Sequence, residues 1–94
     1  MTEDELKENW AERGFSFGSG TVKIGDGIDE AVHNDQEELI VMANGKGKLE
    51  FTIGDKSFIV EDGREVLIPA KSKHSIENLG TEDTKIYFGY RSVE

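Results

Sequence analysis

The feature that most constrains this chain is the alternation across residues 49–53. Leu49, Phe51 and Ile53 interleave with Glu50 and Thr52, between the turn dipeptides Asn44-Gly45 and Gly54-Asp55. Successive side chains on a strand point to opposite faces, so this pattern gives one apolar face and one wet face. The neighbouring segments read the same way. Leu39-Ile40-Val41-Met42-Ala43 is a short continuous apolar run, as in a buried strand, and Phe58 and Val60 resume the alternation. Glu61-Asp62-Gly63 forms the next turn, and a strand over residues 65–68 stops at Pro69, the only proline. Residues 74–79 and 85–90 complete the set, with Ile86, Phe88 and Tyr90 on one face of the last strand. Upstream, Phe15 and Phe17, then Val22 and Ile24, alternate between Gly18, Gly20, Gly25 and Gly27. The total is roughly eight to ten short strands separated by turns. No long crossover helix lies between them, which argues against a parallel α/β sheet. A closed or double-sheet barrel is the expected solution, because it removes or protects the sheet edges.

The first 14 residues follow a different period. Thr2 and Glu5 have the spacing of a capping box, Leu6 and Trp10 share one helical face, and Gly14 sits where a left-handed C-cap belongs. This predicts a short helix over residues 1–14, part of the same domain as a barrel over residues 15–94. Its Leu6/Trp10 stripe is expected to pack on the outside of that barrel.

Composition bounds the functional classes. At 94 residues the chain makes one small domain, and its near-equal shares of hydrophobic (35%) and charged (33%) residues suit a globular fold. The absence of cysteine excludes disulfides and thiolate chemistry, and it fits a reducing compartment. The acidic start Thr2-Glu3-Asp4-Glu5 and the lack of any long apolar run predict a cytoplasmic protein with no membrane partner. The formal charge of −9 predicts no nucleic-acid partner, because such a surface repels phosphate backbones. A core this small is expected to share stability with a second copy, as a homodimer. No nucleophile elbow or phosphate loop is present; Gly18-Ser19-Gly20 has neither the lysine nor the helix of the latter.

Two motifs within Gly27–Asn78 resemble those of the cupin superfamily. In the second, Gly63 is followed after five residues by Pro69, then by His74 and Asn78, with Lys71 where the family usually has glycine. In the first, Gly27 precedes His33 by five residues, and Glu38 precedes Gly45 with six between. The family's second histidine is replaced by Asp35, and the gap to Glu38 is one residue short. The chain looks most similar to small single-domain cupins. The resemblance implies an all-β fold, the cupin double-stranded β-helix or jelly-roll barrel, with a short N-terminal helix ahead of it.

In metal-binding cupins three histidines and a glutamate hold a divalent ion inside the barrel. Carried over residue by residue, the resemblance implies a metal set of His33, Glu38 and His74, with Asp35 as an optional oxygen ligand. His33 and His74 are the only histidines in the chain. A mixed N/O set suits iron, manganese, zinc, nickel or copper. On a strand only one of Glu37 and Glu38 can face inward, and a one-residue slip would exchange them. The implied function is a metal-binding cupin with a small polar metabolite as its ligand; if an enzyme, it would be of oxygenase or isomerase type. The competing reading is a metal-free ligand-binding or interaction module without catalytic activity.

Overall fold

The computed structural model describes residues 2–25, 27–32 (backbone only), 35–44 and 46–93. One helix, α1 (Glu3–Glu12), precedes eight strands among these residues: β1 (Gly18–Val22), β2 (Gly27–Val32), β3 (Gln36–Met42), β4 (Leu49–Ile53), β5 (Lys56–Val60), β6 (Val66–Ile68), β7 (Lys73–Asn78) and β8 (Thr84–Ser92). The strands form two four-stranded sheets, ordered β1-β8-β3-β6 and β2-β7-β4-β5, and every pairing is antiparallel. Consecutive strands thus sit in opposite sheets at both ends of the order, as in a jelly roll.

The period-two residues fill the space between the sheets. Val22, Ile40, Met42, Leu49, Phe51, Val60, Val66, Ile68, Ile76 and Ile86 form one buried cluster, with Ile53 and Phe88 against it. A second cluster lies outside the first sheet, where Leu6, Trp10 and Phe15 meet Leu39, Val41 and Tyr87. Strand β3 therefore sends Ile40 and Met42 into the barrel and Leu39 and Val41 under the helix. That is why its sequence is a continuous apolar run and does not alternate.

Helix α1 begins with the capping box read from the sequence: Thr2 Oγ1 accepts from Glu5 N at 3.2 Å, and Glu5 Oε1 accepts from Thr2 N at 3.1 Å. These two bonds hold the Glu5 carboxyl below its ordinary range. Just past the C-cap Arg13 stands Gly14, whose φ of +86° is the left-handed conformation that glycine adopts without strain. Trp10 is fully buried, and its indole N–H donates to Glu65 Oε2 at 2.8 Å. Burying Leu6 and Trp10 contributes on the order of 1.5–3 kcal/mol each.

Some local expectations fail. Phe15 and Phe17 precede β1 rather than forming a strand of their own; the Phe15 N–H turns back to Trp10 O at 2.8 Å, and both rings pack in the outer cluster. Ile24 lies in the turn before β2 and is exposed.

Candidate functional site at one end of the barrel

Strands β3, β7 and β8 bring three polar side chains to one end of the apolar core. Register places Glu38 directly opposite Tyr90 on β8. Even-numbered residues of β3 face inward, so Glu38 shares the interior with Ile40 and Met42. Across the barrel, His74 is the inward residue at the start of β7, two before the core residue Ile76. Glu38 and His74 are only 6% and 4% exposed, and His74 Nε2 lies 3.4 Å from Glu38 Oε1. His74 Nδ1 stands 3.4 Å from Ser72 O. Burial, then the Glu38 charge, then a hydrogen bond with Glu38 push the Tyr90 phenol above its ordinary range.

Register also separates the two adjacent glutamates. Glu37 faces outward and pairs with Arg91, whose Nε lies 2.6 Å from Glu37 Oε1 and whose Nη2 contacts the same oxygen. The same guanidinium donates to Arg13 O at 2.9 Å and covers the Phe15 ring, so it staples β8 to the end of the helix. Asp35 is exposed in a bend before β3, where its carbonyl accepts from Val93 N at 2.9 Å. His33 lies outside the described residues.

The second motif's other residues have structural roles. Asn78 plugs the opposite end of the barrel, with Nδ2 donating to Val22 O at 2.8 Å and Glu82 O at 2.9 Å, and Oδ1 accepting from Gly80 N at 2.8 Å. Lys71, at the family's usual glycine position, has a φ of 67°, which costs a non-glycine residue about 1–2 kcal/mol. Tyr90 is the member of the polar group that sequence reasoning did not assign. Its sharing a face with Ile86 and Phe88 was the available signal; its pairing with Glu38 depends on register.

Whether this group fits a divalent ion depends on the number of donors. Glu38 and His74 supply two, and a catalytic site of this kind uses three protein ligands. Among the described residues no group of three or more His, Asp or Glu side chains is placed to hold an ion, and no buried side-chain N or O lacks a partner. The described residues do not by themselves make a metal centre. A surface cavity of about 520 Å³ opens outside the barrel, against α1, lined by Leu6, Val41, Glu65 and Tyr87 among others.

Comparison with known proteins decides the family. The profile of the Mif2/CENP-C like family matches residues 8–90, most of the chain. The chain belongs to that family. This Mif2/CENP-C-like chain is also 25% identical over 73 residues to the inner kinetochore subunit cnp3 of Schizosaccharomyces pombe, a match covering 78% of the chain and 11% of cnp3. It thus spans about a tenth of the length of that curated relative. Among solved structures, the Schizosaccharomyces pombe Cnp3 cupin domain superposes with a TM-score of 0.76 at 20% identity, over 86% of this chain and 58% of that one. A predicted oxalate decarboxylase from Thermotoga maritima gives a TM-score of 0.76 at 19% identity, over 93% and 74%. A recombinant oxalate oxidase in complex with glycolate gives 0.73 at 22% identity, over 85% and 43%. These likenesses establish the cupin fold expected from the motifs.

They also correct one expectation. A small molecule is not the partner that the findings support, because the curated relative is an inner kinetochore subunit. The cytoplasm is likewise not singled out, the relative being a kinetochore subunit. Among the described residues no helix is long and apolar enough to cross a membrane.

Proposed function

We propose that this chain is a protein–protein interaction module without catalytic activity, and that it pairs with a second copy of itself. The family match over residues 8–90 carries the reading. In this reading the barrel is a rigid body that presents its outer surfaces and edges. The chain's lack of cysteine suits a reducing compartment, cytoplasm or nucleus, which is where such a module would meet its partners. Sedimentation equilibrium at micromolar concentration tests the proposal. Twice the chain's mass is expected; a single-chain mass across the range refutes the pairing.

One observation favours a second reading, the 3.4 Å approach of His74 Nε2 to Glu38 Oε1 inside the barrel. With His33 as a third donor, and Asp35 as a fourth if its loop folds inward, this pair would hold iron, manganese, zinc, nickel or copper. Elemental analysis of protein purified without a histidine tag or chelator tests it, together with calorimetry on His74→Ala. Stoichiometric metal lost in that variant supports the second reading; no binding to the wild type removes it.

A further inference from the structure

We infer that the cavity between α1 and the first sheet docks a segment of a partner protein that carries an arginine or lysine beside apolar side chains. This inference rests on the interaction-module reading above, and it names a surface and the chemistry of its occupant. The cavity arises from unequal strand lengths. Strand β6 begins at Val66 and pairs with β3 only at Glu38, Leu39 and Ile40, so β3 runs on past it. Ala43 N–H donates to Lys85 O at 2.9 Å, which places the main-chain groups of Ala43 on the β8 side. Main-chain direction alternates along an antiparallel ladder, so Met42 turns its N–H and C=O the other way, toward the gap that β6 leaves. That gap belongs to the cavity of about 520 Å³, within the range of about 300–1,000 Å³ usual for binding clefts.

The walls carry two kinds of group. Leu6, Val41, Ala43 and Tyr87 make an apolar side, which is the margin of the outer cluster. Glu3 and Glu65 supply charge, and among the described residues no lysine or arginine lines the cavity. Both carboxylates are held in place. Glu3 Oε1 accepts from the Tyr87 O–H at 2.9 Å, and Glu65 accepts from Trp10 Nε1 at 2.8 Å and Arg13 Nη1 at 3.0 Å. Arg13 balances Glu65, so Glu3 is the charge that a partner's cation would meet. Lys85 stands 5.3 Å from the centre of the Tyr87 ring without lining the cavity. It is exposed, where water and salt weaken its field.

Charge selects the occupant. Helix α1 carries Glu3, Asp4, Glu5, Glu8 and Glu12 against Lys7 alone, and the whole chain carries −9. Such a surface repels acidic segments and steers basic ones toward it. A purely apolar segment would bury the Glu3 carboxylate with no counter-charge, which costs free energy. A compact cation with no apolar stem would leave the Leu6, Val41 and Ala43 wall in water. Arginine and lysine join an apolar stem to a charged head, so either one meets both walls at once.

The probe is a fluorescein-labelled peptide alternating leucine with arginine, titrated at low ionic strength and read by fluorescence anisotropy. It should bind the wild type saturably. Glu3→Gln keeps an oxygen for the Tyr87 O–H but removes the charge, and it should weaken binding about fivefold, as for the loss of one exposed ion pair. Glu77→Gln removes the same charge from the outer face of the second sheet, away from α1, and should change binding by less than about twofold. Ala43→Leu should block binding by filling the cavity while keeping the wild-type circular dichroism. Equal losses in the Glu3 and Glu77 variants would mean attraction to the chain's overall charge. Undiminished binding of a peptide with serine in place of arginine would mean an apolar occupant. Wild-type dimer driven to single-chain mass by the peptide would mean that a second copy fills the cavity. Any of these results, or no binding at all, overturns the inference. The mass of the wild type alone tests the pairing separately, so dimeric protein that binds no peptide removes this inference and leaves the reading above standing.

Discussion

Gly89 lies in the middle of β8, where the segment after the helix crosses the sheet. A Cβ built there would sit 1.9 Å from Ser16 O, 2.8 Å from Ser16 C and 3.0 Å from Trp10 Cε3, against 3.4 Å or more for ordinary contact. The nearest obstacles are backbone atoms, which no rotamer change can move. In Gly89→Ala the Ser16 segment must therefore retreat by more than ~1 Å, well beyond the sub-ångström slack of a packed core. Two hydrogen bonds break with it, Ser16 N to Tyr90 O at 2.9 Å and Tyr90 N to Ser16 Oγ at 2.9 Å. At about 1 kcal/mol per bond and about 1–3 kcal/mol for overpacking, the expected loss is roughly 3–5 kcal/mol. For a domain of this size that lowers Tm by about 12 °C or more. Urea denaturation followed by the fluorescence of Trp10, the only tryptophan, measures it directly. Gly20→Ala is the control, since its Cβ would meet only Phe88 Cε2 at 3.6 Å, an ordinary contact; it should stay within about 1 kcal/mol of wild type. If Gly89→Ala matches the wild type within about 0.5 kcal/mol, the close approach of the two segments is not as described.

Three further outcomes are expected. Lys71→Gly should stabilise the fold by up to about 1 kcal/mol in the same urea assay, because relief at a φ of 67° exceeds glycine's added chain entropy; a loss of stability refutes this. Asn78→Ala should cost about 2–4 kcal/mol by leaving Val22 O and Glu82 O without their donor, and an unchanged denaturation midpoint would refute that role. The raised Tyr90 phenol keeps its proton longer when folded, so its contribution is complete below about pH 10, the unfolded value, and is lost as pH rises through the folded one. Tyr90→Phe should therefore flatten the alkaline limb of a stability–pH curve, leaving the part due to Tyr87, whose phenol is raised by its hydrogen bond to Glu3; identical limbs would refute the assignment.

Much of this architecture was legible because local patterns and tertiary demands agree. Thr2, Glu5 and Gly14 mark the helix by capping chemistry alone, and Leu49, Phe51 and Ile53 mark β4 by period two. The run from Leu39 was readable as buried, but not the reason, which is a helix packed outside the sheet. What stayed open depended on register. The spacing to Gly45 favoured Glu38 over Glu37, but which of the two faces inward was fixed by pairing with Arg91 and Tyr90, more than fifty residues away. Phe15 and Phe17 imitate a strand because the outer cluster, like a sheet face, takes alternate side chains. The partner was misread for a different reason. Cupin motifs specify a barrel, and one barrel fold hosts many unrelated functions.

The pairing of β3 with β8 has a consequence for how the chain reaches this fold. Gln36 meets Ser92 and Met42 meets Ile86, so the central ladder of the first sheet closes loops of roughly 44 to 56 residues. The hairpin of β4 and β5, by contrast, needs only the Gly54-Asp55 turn. Local contacts form early and distant ones late, so folding should be slow for a chain of this length, in milliseconds to seconds. Trp10 sits beneath β3 and β8, and its burial should mark the last step. Stopped-flow refolding with a tryptophan signal complete within microseconds would contradict that order. Until the distant ladder closes, the early hairpin exposes its unpaired edges to every neighbouring chain. Folding yield should therefore fall as protein concentration rises.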